Sequence, residues 1–124
     1  MTIAIMLPAS ADEIQFTVEQ AELGKEIYKE TCQICHGTTL SNGQFGTPLR
    51  GSFFRNKWAG KTVGELFVFT TESMPPDNKG SLTPEQYAAA LTYILSRNDL
   101  PAGTMALSAD SHVLGNLMLP WEPK

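Results

Sequence analysis

Two thiols and an imidazole stand together in Cys32-Gln33-Ile34-Cys35-His36, a segment that holds both cysteines of the chain and one of its two histidines. C-x-x-C-H is the spacing of covalent haem attachment. Thiols three residues apart at a helix end can each add to one vinyl group of a porphyrin. The next residue is then carried beneath the iron, where His36 offers a ring nitrogen as proximal ligand. Other chemistries share part of this pattern. A C-x-x-C pair is half of a structural zinc site, but such a site takes four ligands, and His112 is the one conventional nitrogen ligand left. A thioredoxin-like redox pair belongs in a βαβ context. An accidental match is the third alternative, and two cysteines are too few for a disulfide scaffold.

A low-spin haem iron needs a second axial ligand. Five methionines are available, at positions 1, 6, 74, 105 and 118. Met74 stands apart because it occupies Ser73-Met74-Pro75-Pro76, a stiff turn between two helical patterns. A methionine that only fills a core lies more often on a helical stripe. Met74 is therefore the expected sixth ligand. Met105 and Met118 fall in the C-terminal tail with apolar packing as their expected role, and His112 reads as an exposed tail residue.

The elements that position these groups follow from periodicity and caps. Thr17 with Gln20 reads as a capping box opening a helix over 18–31. Residues 37–60 carry five glycines and Pro48 without periodicity, which predicts a long loop. Thr62 with Glu65 opens a helix over 63–72, and Thr83-Pro84-Glu85-Gln86 opens another over 84–97. Residues 99–124 form an extended tail with one helical turn near 109–115, in which Leu117, Met118, Leu119 and Trp121 make an apolar cluster expected to wrap back over the domain or dock on a partner. No strand pattern of any length occurs, so the fold class is all-α, with three main helices and long loops around one covalently bound haem.

The whole chain is compatible with this. Its 124 residues suit one domain, and 42% apolar content with a formal charge of −4 excludes disorder. No apolar run approaches the ~20 residues of a membrane span. The acidic balance argues against a nucleic-acid partner. Residues 1–11 end in Ala9-Ser10-Ala11, the small-x-small pattern of signal peptidase, and read as the remnant of a secretory signal. The expected organisation is a haem domain over 12–98 and a tail over 99–124, exported to the periplasm.

Over 17–98 the chain resembles the class I c-type cytochromes: attachment motif after the first helix, methionine loop, C-terminal helix. Gly24 and Tyr28 on the first helix, with Ala90 and Tyr93 on the last, resemble that family's crossed-helix contact. The resemblance implies that the carbonyl of Pro48, in Gly46-Thr47-Pro48-Leu49, accepts the proton on the far nitrogen of His36 and so orients the ring. More narrowly, Arg55 to Leu66, Met74-Pro75-Pro76 and Leu100-Pro101-Ala102-Gly103 are similar to cytochromes associated with quinoprotein dehydrogenases.

Between Glu30 and Glu65 there is no acidic residue, yet Arg50, Arg55, Lys57 and Lys61 all fall there. Haem propionates need partners if they are to be buried. Arg55 and Trp58 are the expected donors, with Arg50 or Lys57 as substitute. The remaining positive charge would steer an acidic partner. Phe45, Leu49, Phe53, Phe54, Leu66, Phe67, Phe69, Leu91 and Ile94 are candidates for an apolar haem shell. The function implied is one-electron transfer by haem c, not enzymatic catalysis, between a periplasmic dehydrogenase as donor and an oxidase or another cytochrome as acceptor. A haem enzyme or a gas or peroxide sensor with an open distal face is the alternative.

Overall fold

The computed structural model describes residues 13–123, so the signal-like segment 1–11 lies outside the described residues. Thr17 caps α1 (Val18–Ile27), its hydroxyl accepting the Gln20 amide at 3.0 Å. α1 runs on through a π-helical turn, Tyr28–Cys32, into α2 (Gln33–His36). The helix predicted over 18–31 thus extends to His36. Its wider turn ends at Cys32 and offsets the register ahead of Cys35 and His36, the kind of local expansion that recurs at functional sites.

The expected loop over 37–60 is irregular only in part. Ser52–Trp58 folds as α3, burying Phe54 and Trp58. These two lie four residues apart, on one helical face, and that signal was outweighed by the glycines around it. α4 (Val63–Ser73) and α5 (Pro84–Ser96) start where the sequence predicts, and both capping boxes form, Thr62 with Glu65 and Thr83 with Gln86. α6 is the short helix Ser111–Leu114, capped by Asp110. Among the described residues the only β pairing is an isolated bridge between Thr62 and Met118.

α1 crosses α5 at a glycine. A Cβ on Gly24 would stand 1.9 Å from the Ala89 carbonyl oxygen and 3.1 Å from Tyr93 Cβ. Beside it the Tyr28 and Tyr93 rings meet with centroids 5.3 Å apart. The α5 backbone met by Gly24 is that of Ala89, and Ala90 packs with Ile27 and Ala89 in the same crossing, so all four residues of the expected contact take part in it. Phe16, Tyr28, Leu40, Phe54, Leu66, Phe67, Leu91 and Leu95 form the main core.

The tail wraps over this core. The Gln20 side chain does not complete the expected capping box but clasps Leu107, donating to its carbonyl at 3.0 Å and accepting its amide at 2.7 Å. Farther on, Val63 N–H donates to Leu117 O and Leu119 N–H to Lys61 O. The extended backbone there alternates its side chains, so Leu117 and Leu119 are buried while Met118 faces solvent, against the expectation that all three share one cluster. Trp121 closes the wrap, edge-on to Phe54 with centroids 5.7 Å apart.

Asn98 does more than end α5. Its amide donates to Leu49 O and Ile94 O, each at 2.9 Å, and its oxygen accepts Gly51 N–H at 3.1 Å. Asn98 is buried, so removing it strands main-chain groups away from water. We expect Asn98→Ala to cost about 2–3 kcal/mol in denaturant titration, with the 49–51 segment loosening first in amide hydrogen exchange.

Candidate functional site

α2 carries the attachment motif into a pocket of main chain. Cys32 and Cys35 are half-buried and His36 is buried. Spacings of three and four bring the three side chains to one side of the helix. Burial, reinforced by the neighbouring Cys35, pushes the Cys32 thiol up to about 11. Among the described residues no group of three His, Cys, Asp or Glu side chains converges as a metal site.

The loop after α2 folds back on the motif. Gly46 N–H donates to Cys35 O at 2.8 Å, and Tyr28 Oη donates to Gly37 O at 2.5 Å. Two glycines allow this approach. A Cβ on Gly43 would lie 2.0 Å from Cys35 O, and one on Gly46 would lie 2.5 Å from His36 Nδ1. His36 Nδ1 is 2.8 Å from a carbonyl oxygen, and the carbonyl is that of Thr47. The expectation that Pro48 supplies this acceptor is corrected by one residue. Proline holds the residue before it in extended backbone, so Pro48 shapes the Thr47 carbonyl instead of offering its own. Facing a carbonyl, Nδ1 carries the proton, which leaves the lone pair on Nε2 for a metal.

Met74 sits at the C-cap of α4, where its own N–H donates to Thr70 O at 2.9 Å. From α5, Tyr87 Oη donates to the Met74 carbonyl at 2.7 Å. The backbone of Met74 is thus pinned from two helices, while its half-buried side chain does not pack on the main core cluster. His112 is an exposed residue of α6 whose N–H is taken up by the Asp110 cap.

The expected propionate donors have separate fates. Arg55 Nε is buried without a hydrogen-bond partner, an orphaned cationic donor of the kind a carboxylate satisfies. Arg55 also lines an open cavity of about 680 Å³ with Asn98, Asp99, Leu100 and Trp121, a cavity to which Cys32, Cys35, His36 and Met74 do not contribute. Trp58 is buried edge-on to Phe69, with centroids 5.3 Å apart. Lys57 Nζ lies 5.8 Å from the Trp58 ring and 5.0 Å from that of Phe69, so it is held by aromatic faces. Arg50 is exposed. Of the candidate shell, Phe54, Leu66, Phe67, Leu91 and Ile94 are buried and Leu49 is half-buried, whereas Phe45, Phe53 and Phe69 are exposed.

This donor set fits a covalently held haem. It offers paired thiols, an imidazole with its tautomer fixed, an uncommitted thioether and an unpaired guanidinium nitrogen. Thr47, Tyr87, Asn98 and the Tyr28 hydroxyl are contributions that sequence reasoning missed. A buried tyrosine needs a partner for its hydroxyl, and that rule alone could have flagged Tyr28 and Tyr87.

Comparison with known proteins agrees. No curated protein and no solved structure matches the chain. The family model described as cytochrome C oxidase, cbb3-type, subunit III matches residues 19–94, well over half of the chain and inclusive of both cysteines, His36 and Met74. The all-α fold, the C-x-x-C-H segment and this match together place the chain in that family of haem-carrying cytochrome c domains.

Proposed function

We infer that the protein is a mono-haem electron carrier in which Cys32 and Cys35 hold haem c and His36 and Met74 are the axial ligands. The observation that carries this reading is the His36 Nδ1 contact with Thr47 O at 2.8 Å, beside two half-buried thiols. It fixes the imidazole so that Nε2 is the free ligand atom. Haem c bound here would be held by Cys32 and Cys35, whose S–H groups would each add across a vinyl C=C, sulfur to one carbon and hydrogen to the other, and so tether the cofactor without a deep pocket. When bound, haem c supplies a one-electron Fe(II)/Fe(III) couple. Met74 would contribute a soft thioether sulfur to that iron, which would favour the reduced state and exclude small molecules. The buried Phe54, Leu66, Phe67, Leu91 and Ile94 lower the local dielectric, which disfavours the more positive oxidised centre. Arg55 is the propionate donor supported by its unpaired Nε, with Trp58 as its companion.

The donor in this reading is a periplasmic dehydrogenase of the quinoprotein class, supported by the sequence runs at 55–66 and 74–76. The acceptor is an oxidase or another cytochrome, and the family's own description names a cytochrome c oxidase. Export rests on Ala9-Ser10-Ala11. No helix among the described residues is long and apolar enough to cross a membrane.

Protein matured in an exporting host should begin near Asp12 and retain its haem through acid–acetone extraction. Its reduced-minus-oxidised spectrum should be that of a six-coordinate low-spin centre. Haem that extracts freely would overturn the attachment, and a five-coordinate spectrum in the parent protein would overturn Met74 as ligand.

A further inference from the structure

Both axial ligands of this reading stand at the far end of a helical rod. α1 runs on through its π-helical turn to His36, and α4 runs to Met74, whose N–H still donates to Thr70 O at 2.9 Å. The Met74 side chain does not pack on the main core, so its place is set by its backbone, which extends α4. At 1.5 Å per residue, Met74 lies about 16 Å from the start of that helix.

The tail is tied to the start of both rods. At the α1 end, Gly103 N–H donates to Phe16 O at 2.7 Å, and the Gln20 side chain holds both main-chain groups of Leu107. At the α4 end, Val63 N–H donates to Leu117 O at 2.8 Å and Leu119 N–H to Lys61 O at 3.0 Å. Beside these bonds the two main chains touch. A Cβ on Gly64 would stand 2.6 Å from Gly115 N, 2.7 Å from Gly115 Cα and 3.0 Å from the Leu114 carbonyl carbon. Val63, Leu66 and Phe67 on α4 are buried in the main core, so the helix is wedged between that core and the tail. The tail residues of this contact lie beyond 19–94, the segment that matches the family.

We propose that the tail is a brace for the sixth ligand. It fixes the start of α4 relative to α1 and so sets where Met74 is carried with respect to His36, with Gly64 as the positioning residue at the contact. This rests on the reading of Met74 as an axial ligand. A ligand set works only while its members are held to within about 0.5 Å. α4 is a continuous helix on a close-packed core, so a shift forced at Gly64 moves it as a body instead of being absorbed beside the tail. Tyr87 steadies the far end through its bond to the Met74 carbonyl, and the tail fixes the near end.

Carbon monoxide binding to the reduced holoprotein reads the brace, because the gas enters as Met74 leaves the iron. Gly64→Ala sets a methyl against the tail main chain and should bind the gas about tenfold faster than the parent, or more, as ~1.4 kcal/mol off the barrier would give. Leu114→Ala empties a fully buried anchor of the tail and should be faster by about threefold. It decides the matter if Gly64→Ala does not fold. Gly115→Ala is the first control: among the described residues its methyl would meet only the Ser111 and His112 carbonyl oxygens of α6, at 3.3 and 3.5 Å, and no atom of α4. Gly24→Ala is the second, since it destabilises the fold through a main-chain clash at the α1–α5 crossing. Both should stay within about twofold of the parent, although Gly24→Ala unfolds at a lower temperature. Folded Gly64→Ala or Leu114→Ala within twofold of the parent would overturn the proposal. So would equal acceleration by Gly24→Ala, which would mark a general loss of stability. A parent that binds the gas as fast as Met74→Ala would instead remove Met74 from the iron, and the proposal would fall with that reading.

Discussion

Met74→Ala is expected to convert the low-spin six-coordinate haem to a five-coordinate one and to lower the midpoint potential by on the order of 0.1–0.3 V, within the ~0.8 V that axial ligands command. Thioether sulfur stabilises Fe(II) more than Fe(III), so losing it favours the oxidised state and lowers the potential. Met74→His tests the same position in another way. It should keep the centre six-coordinate while lowering the potential, because imidazole is the harder ligand. Met105→Ala and Met118→Ala serve as controls, both residues being exposed, and neither should move spectrum or potential. Carbon monoxide should bind rapidly to reduced Met74→Ala and slowly to the parent. A Met74→Ala protein with the parent spectrum would remove Met74 from the iron. The support for it is positional: Tyr87 and Thr70 fix its backbone from two helices, while its side chain does not pack on the main core. Tyr87→Phe deletes one of those ties and should act through position alone, softening the spectrum without abolishing ligation.

What could be read from the sequence was whatever local chemistry determines. Thr62 with Glu65 and Thr83 with Gln86 are contacts between residues three apart, and both formed as expected. Thr17 with Gln20 has the same spacing, but there the glutamine reaches the Leu107 main chain, a partner 87 residues away. A long-range partner with both a donor and an acceptor outbids a local one, and no local pattern reports it. The acceptor for His36 failed for a related reason. Pro48 marks the right turn, but which of two successive carbonyls points at the ring is a matter of backbone direction. α3 was hidden because Gly51 and Gly60 border a helix of only seven residues, Ser52–Trp58, in which two buried side chains are the whole periodic signal. The exposure of Phe45 beside the burial of Phe54 was equally out of reach, since both are phenylalanines in a glycine-rich stretch.

Gly24→Ala should destabilise the protein by about 3 kcal/mol, which lowers Tm by roughly 10–15 °C for a chain of this size. Alanine is the better helix former by ~1 kcal/mol, so α1 taken alone would gain from the change. The crossing reverses the sign. The new methyl would stand 1.9 Å from the Ala89 carbonyl oxygen, a main-chain atom held in the α5 hydrogen-bond ladder, and 3.1 Å from Tyr93 Cβ. Neither atom can rotate away, so the helices must separate by an ångström or more. Separation loosens Ile27, Ala89 and Ala90 and pulls the Tyr28 ring from Tyr93. Tyr28 also holds Gly37 through its hydroxyl, at the start of the loop that orients His36. The strain therefore reaches the haem side through a single tyrosine. No side-chain substitution at Ala89 should rescue the variant, because the obstructing atom belongs to the backbone; this separates a steric origin from a change in core volume. Denaturant titration followed by haem absorbance measures the loss. At low denaturant the spectrum and potential should match the parent, because the atoms that crowd Gly24 belong to Ala89 and Tyr93 and not to His36 or Met74. A Gly24→Ala protein as stable as the parent would show that the two helices do not meet at this residue.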